Sequence, residues 1–465
     1  MITRIFQLGG LNLKLSPFLQ REGELIRSVN VENDMIGAKK KRPGYTTYLA
    51  SLGAEITSLF NWTRNSGTQF WNYTVSGGTL FYSQQGTGAW TVCGNGTLTN
   101  GARPGYAVLE DTMVIGDGTA VTRHSSDGTS FTNTVSAPIA NYFAEYQNRI
   151  YAGGTASSLF YSTTGTPSDW TSDSSSYSIP GPGRINNLFK TADRLIIPKN
   201  SGGMHKWDGY NLSDLVTNLG PTTPYVASVE NFKFLANRQG VFAFGGGPPE
   251  IISNPIERQI FNDAGSGIVG TMFDNAPMIV HQYDLLLGAG TITDNLTDET
   301  LNRAILKYDY QQDEWGNWQF NNMPTAFGTY VDENRDRQFI FGDSTGQCYT
   351  FGGTNLTDNT AAVEAVMEGV LHLNAPETPK KFNYVWAFGN PGCEAHIQVA
   401  IGNTFTRAKK KWLSLGDFSD GVAQLRFPTG SEGRLLFWKL TEMSTASRFH
   451  FYGFALDWEL IEGRV

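Results

Sequence analysis

Six histidines, His124, His205, His281, His372, His396 and His450, are the residues of this 465-residue chain best suited to metal or proton chemistry. None pairs with another at HxH or HExxH spacing, the arrangements that bring two imidazoles to one metal, so they read as scattered strand or turn residues. Carboxylates stand side by side at Asp313-Glu314 and Asp332-Glu333, but neighbours on a strand face opposite sides and do not make an acid–base couple. No GxSxG elbow and no P-loop occurs. Gly245-Gly246-Gly247-Pro248-Pro249 reads as a turn, because a phosphate cradle opens a helix. Cys93, Cys348 and Cys393 lie far apart, which argues against a disulfide framework and a thiolate zinc site and fits assembly in a reducing cytoplasm.

The segment Ser125-Ser126-Asp127-Gly128-Thr129-Ser130-Phe131 resembles the Asp-box of sialidase-type propellers, with its spacing off by one residue and no second copy. Such a turn is structural in sialidases as well, so it implies a fold element and no catalytic residue. Two basic runs, Lys39-Lys40-Lys41-Arg42 and Lys409-Lys410-Lys411, stand against a net charge of −8. They read either as edge lysines that discourage wrong strand pairing or as contacts with an acidic partner or nucleic acid at one end of a pore. The net charge has the wrong sign for gripping nucleic acid through its phosphates.

The elements that must position these groups repeat. Leu80-Phe81-Tyr82-Ser83 recurs as Leu159-Phe160-Tyr161-Ser162, and each copy runs through a glycine to a Trp-Thr pair, Trp90-Thr91 and Trp170-Thr171. Copies of one small sheet bury together a core that a single copy cannot. With 52 glycines, 13% aromatic and only 17% charged residues, the chain reads as many short strands joined by tight turns. Residues 1–45 read as an extended arm. From about residue 54, groups of four strand signals recur every 40–45 residues, as in Ile56–Thr63, Gln69–Val75, Thr79–Ser83 and Ala89–Cys93. Arg103-Pro104-Gly105-Tyr106 echoes Arg42-Pro43-Gly44-Tyr45, and Asp294–Asn302 is expected to form a helical turn. The fold class is therefore all-β: a β-propeller-like body of six or seven antiparallel blades over residues 46–360, then a C-terminal β-sandwich over 361–465. No run of 18 apolar residues exists, so no membrane insertion is expected, and the first residues lack the apolar core of a secretory signal.

Gly9-Gly10-Leu11-Asn12, Ser16-Pro17, Gly23-Glu24, Asn30-Val31-Glu32 and Gly37-Ala38, leading to Lys41-Arg42-Pro43-Gly44-Tyr45, resemble the opening of tail proteins of tailed bacteriophages. Asn148-Arg149-Ile150-Tyr151-Ala152-Gly153-Gly154 and Gly165-Thr166-Pro167-Ser168-Asp169-Trp170 resemble a further recurring stretch of those proteins. The type these segments resemble is the tail hub or nozzle of short-tailed phages, the packaged-DNA stabilisation proteins. The resemblance implies a structural virion protein without catalytic, cofactor or metal residues. It implies a homohexameric ring below the portal adaptor, assembled in the host cytoplasm, carrying needle, fibre or spike proteins and passing double-stranded DNA. Six copies would carry roughly −48, a wall that repels a duplex and lets it slide. Lys39, Lys40, Lys41, Arg42, Lys409, Lys410 and Lys411 are then the expected partner or subunit contacts, and deletion of residues 1–45 is expected to impair assembly more than folding. The alternatives are a carbohydrate-binding or glycan-cleaving propeller and a tail-tip component of a long-tailed phage.

Overall fold

Short runs of branched and aromatic residues between turn signals make strands whose buried faces stack sheet on sheet. In the computed structural model the described residues are 1–15, 19–34, 37–84, 88–216, 219–221, 224–229, 232–260, 267–268, 276–294, 299–332, 334–373, 375–402, 411–445 and 449–461. They form an all-β protein with a six-blade β-propeller arrangement and almost no helix. The first blade comprises Ile56–Arg64, Gln69–Ser76, Thr79–Gln84 and Thr91–Thr97, paired in that order as an antiparallel meander. Three more follow the same plan, from Gly105–Leu109 to Thr132–Asn133, Tyr142–Tyr146 to Ser175–Ser178, and Phe189–Lys190 to Leu212–Val216. The fifth runs from Ala227–Val229 to Glu250–Ile251. The repeated Leu-Phe-Tyr-Ser occupies the third strand of the first and third blades, with Leu80 and Leu159 in the core both times.

The sixth blade closes the ring with strands from both ends of this body. Pro324–Val331, Arg337–Asp343 and Cys348–Phe351 are completed on the outside by Tyr45–Tyr48, Phe351 lying opposite Tyr45. The echo between Arg42–Tyr45 and Arg103–Tyr106 is thus not a structural repeat. Tyr45 opens the fourth strand of its blade, with Thr357–Asp358 beyond it, whereas Tyr106 lies on the innermost strand of its blade. What the two share is a glycine under a neighbouring backbone: a Cβ on Gly44 would lie 2.0 Å from the Thr357 carbonyl oxygen, and one on Gly105 2.2 Å from that of Asn141.

Between the fifth and sixth blades the chain adds another meander, Met278–His281, Asp284–Asp294, Glu299–Asp309 and Glu314–Gln319. Its first strand contacts the inner strands on both sides, and its last joins Leu25–Val29, so this meander continues into the largest sheet. Of the segment 294–302 expected to form a helical turn, Asp294 and Glu299–Asn302 lie in paired strands, Asp294 opposite Glu299, and residues 295–298 lie outside the described residues.

That largest sheet runs on from Leu25–Val29 through Ala365–Leu371 and Leu435–Glu442 to the 23-residue strand Lys380–Gly402. This long strand changes neighbours halfway. Its first half pairs with His450–Leu460, its second with Leu435–Glu442, and Leu413–Arg426 borders it throughout. Register shifts between Phe388 and Ala395 mark the bend, and the sheet folds over a core that includes Met367, Ile397, Phe418, Trp438, Phe451 and Trp458. The first residues are woven into it: Ile2–Ile5 and Lys39–Lys41 both pair with His450–Leu460, and Leu25–Val29 pairs with Ala365–Leu371.

Candidate functional site

The innermost strands of the six blades surround a central funnel of about 1050 Å³. The residues that enter it precede or begin those strands: Glu55, Arg103, Asn141, Asn187 and Tyr225, with Glu145 and Lys190 further along. Arg103 and Tyr225 come from the second and fifth blades, on opposite sides of the ring. The Arg103 guanidinium donates to the Tyr225 hydroxyl at 2.6 Å and lies 5.5 Å from the ring centroid, so the pair bridges the opening. Burial pushes the Tyr225 and Tyr106 phenols above their ordinary value, with Arg103 opposing the shift at Tyr225. Glu145 is ion-paired to Lys190. Burial raises the Asp117 carboxyl, but the N–H groups of Thr99, Thr119 and Ala120 outweigh it and hold the acid below its usual range. Three acids, Glu55, Asp117 and Glu145, face two cations, Arg103 and Lys190, and no tryptophan lines the funnel among the described residues.

The first basic run sits at the seam between the N-terminal strands and the rest. Arg42 is fully buried and donates to both Asp358 oxygens, at 2.8 and 2.7 Å, and also to Asn30, Pro43 and Gln319. Lys41, equally buried, meets Glu442 at 2.6 Å. Lys39 meets Glu314 at 2.6 Å; burial lowers its pKa, and Glu314 opposes that shift. These three side chains are engaged inside the chain and therefore cannot be the partner contacts expected of them. Their partner acids lie 275 to 401 positions away, beyond the reach of local pattern. Lys40 alone of the run is partly open, 3.9 Å from Glu32. Of the second run, Lys411 is exposed, and Lys409 and Lys410 lie outside the described residues.

Asp127 accepts the N–H of Thr129 and Ser130 at 2.8 and 2.9 Å and the Ser125 hydroxyl at 3.1 Å, while Phe131 is buried. The Asp-box-like segment therefore builds a turn. Four histidines pair with carboxylates: His205 with Asp214 at 2.8 Å, His372 with Glu22 at 3.0 Å, His450 with Asp34 at 2.9 Å and His396 with Asp417 at 2.7 Å. His372 and His450 tie the N-terminal segment to the large sheet.

Around His396 the geometry goes further than a pair. Ser414 Oγ lies 3.1 Å from His396 Nε2 while Nδ1 faces Asp417, so hydroxyl, imidazole and carboxylate stand in line, and His396 and Asp417 border a cavity of about 570 Å³ that Ser414 does not line. Sequence reasoning missed this trio, because Ser414 and Asp417 lie on a strand, Leu413–Arg426, whose glycines and aspartates hide the strand pattern, while His396 comes from the neighbouring strand. Among the described residues, no group of three or more His, Cys, Asp or Glu side chains is placed to hold a metal, and no helix is long and apolar enough to cross a membrane.

The fold defines a six-blade propeller arrangement joined to a large sheet. No family model and no curated protein sequence matches the chain. Among solved structures it is similar to a computationally designed protein, Ika8, with TM-score 0.42 and 11% identity over 66% of this chain and 99% of that one. It is similar to YCF48 from Cyanidioschyzon merolae, with TM-score 0.44 and 8% identity over 66% and 98%. It is also similar to PorZ, a surface component of the type-IX secretion system of Porphyromonas gingivalis, with TM-score 0.42 and 11% identity over 80% and 46%. At these values the likenesses carry no argument about function.

Proposed function

We propose that this chain is a structural protein of a bacteriophage tail, a hub or nozzle that acts by assembly and gating. In this reading six copies form a ring below the portal adaptor, hold back the packaged genome, guide its exit and carry needle, fibre or spike proteins. The organisation is an arm (1–45), a propeller-like body (46–360) and a β-sandwich (361–465), residing in the virion tail after assembly in the host cytoplasm.

The observation that carries the reading is the interlocking of the N-terminal segment with both bodies. Tyr45–Tyr48 closes the last blade, while Ile2–Ile5, Leu25–Val29 and Lys39–Lys41 pair into the large sheet. Such stitching suits a part that bears load, and within the funnel Arg103 is engaged with Tyr225 and Glu145 with Lys190. The duplex path lies between copies. A duplex rising 3.4 Å per base pair, with a radius of about 10 Å, fills roughly 1000 Å³ per base pair. The funnel of about 1050 Å³, bridged by Arg103 and Tyr225, would hold a single base pair. Of the described residues of the two basic runs, Lys40 and Lys411 are left for contacts between copies or with the adaptor.

Electron microscopy and native mass measurement of the purified protein test this. Six-membered rings with an axial opening wider than a duplex are expected. A protein that stays monomeric at micromolar concentration, alone and with its adaptor, overturns it. One feature favours glycan binding as a second reading: the aromatic row Tyr384, Trp386 and Phe388 on one side of the long strand. Tyr384 and Trp386 have ring centroids 6.2 Å apart, and Phe6 packs 5.3 Å from Phe388. Glycan-array binding lost on Trp386→Ala would favour that reading.

A further inference from the structure

We propose that Ser414, His396 and Asp417 form an acyl-transfer site that hydrolyses small carboxylic esters, an activity separate from the tail role. Two residues three positions apart on a regular strand face opposite sides. Here the pairing slips between Ile397, opposite Gly416, and Gln398, opposite Ser414, and Gly416 takes φ +134°. The extra residue of this bulge turns Ser414 and Asp417 to the same side, flanking His396 on the neighbouring strand. Bulges re-aim side chains in this way beside active sites.

The hydrogen bonds fix the direction of proton flow. An ionised carboxylate only accepts, so Nδ1 carries the proton towards Asp417 at 2.7 Å. Nε2 of the neutral ring is then the acceptor, and the Ser414 hydroxyl at 3.1 Å is the donor. This is the tautomer a nucleophilic serine requires, recognised by geometry and not by chain order. Gln398 is the register partner of Ser414 and lies two residues from His396 on the same side. The register puts Gln398 on the face where the oxyanion would form beside Ser414, and its amide is assigned the donor task that side-chain amides perform in other acyl-transfer sites. The imidazole is 38% exposed and Ser414 is exposed as well, so substrate reaches both from solvent.

In the first half-reaction Ser414 Oγ bonds to the ester carbonyl carbon and its proton passes to Nε2. The tetrahedral intermediate then breaks its bond to the alkoxide, which takes that proton from Nε2. Water, deprotonated by the same imidazole, releases the acid and restores the hydroxyl. Asp417 positions the ring and holds its tautomer. Because Asp417 is 82% exposed, water screens its hold on the imidazolium, and activated esters rather than amides are the substrates.

The test uses the full chain with p-nitrophenyl acetate and a fluorophosphonate probe. The expected result is a probe adduct on the peptide carrying Ser414, with turnover lowered about 10²-fold or more by Ser414→Ala and by His396→Gln, the range of a lost general base. Asp417→Asn should slow labelling while leaving Ser414 and His396 in place, and Asp417→Glu should restore part of the rate; a merely structural aspartate would leave labelling unchanged. All three side chains are at the surface, and circular dichroism verifies that each variant is folded. No adduct at Ser414, or wild-type turnover by Ser414→Ala, overturns the proposal.

Discussion

Asp358 is the most informative residue to remove. Its carboxylate is the sole charge facing the Arg42 guanidinium at bonding distance among the described residues, and both are buried, with side chains 3% and 0% exposed. Arg42 has five N–H groups, and all five are used: one to Asn30, one to Pro43, one to Gln319 and two to Asp358. The guanidinium also lies 4.6 Å from the centroid of Phe320. Asp358→Ala leaves a buried cation unpaired, a loss of about 3–5 kcal/mol. With a guanidinium chloride slope of roughly 4 kcal/mol/M, the unfolding midpoint should fall by about 1 M. Intrinsic tryptophan fluorescence follows the transition, and Trp318, fully buried and stacked on Phe351 and Phe320, is the contributor nearest this seam among the chain's 11 tryptophans. The double variant Arg42→Met with Asp358→Leu removes both charges and should recover to within about 2 kcal/mol of wild type, since an apolar pair replaces an ion pair at little cost. A midpoint shift below about 0.2 M for Asp358→Ala, or a double variant no better than the single one, would refute the reasoning.

Three further outcomes are expected. Burial pushes the Cys93 and Cys348 thiols up to about 12, so both should resist iodoacetamide at pH 8 in the folded protein and react once it is unfolded, read by peptide mass. Burial against Phe339 and Phe351 lowers His281 to about 4, below its unfolded value near 6.5. The unfolded chain therefore binds a proton that the folded one refuses, stability falls as pH drops from about 6.5 to 4, and His281→Phe should flatten that slope in denaturation midpoints. Deleting residues 1–45 should abolish folding and not only assembly, because Ile5, Leu8, Leu25 and Val31 belong to the core of the large sheet; a soluble truncated protein with wild-type near-ultraviolet dichroism would contradict this.

The blades were legible in the sequence because their signals are local. Thr79–Gln84 and Gly105–Leu109 need only a run of branched and aromatic residues and a turn at each end, and both stand where the pattern places them. Pairings that span the chain have no such signature. Tyr45–Tyr48 reads like the end of an arm, yet it completes a blade whose other strands begin at Pro324. Leu413–Arg426 was missed for a different reason: Gly416, Asp417 and Gly421 weaken strand propensity, and the strand is held by the long strand beside it. The lysine run misled because charge implies solvent only when no opposite charge is folded against it, and Glu314, Asp358 and Glu442 are distant in sequence. The serine–histidine–aspartate line was invisible because its register depends on one extra residue.

These long-range pairings have a mechanical consequence. The N-terminal ammonium lies 3.5 Å from Asp457, and Ile2–Ile5 sits in register with Phe454–Asp457, so the first strand is locked against the last. Arg42 then ties the same segment to Gln319 of the added meander and to Asp358 beyond the closing blade. Opening either body first requires breaking contacts formed between the ends of the chain. Contacts of such sequence separation form late in folding, after the entropy of closing a long loop has been met. Interactions absent from the folding transition state act mainly on the unfolding rate. The architecture therefore places its strength in slow unfolding.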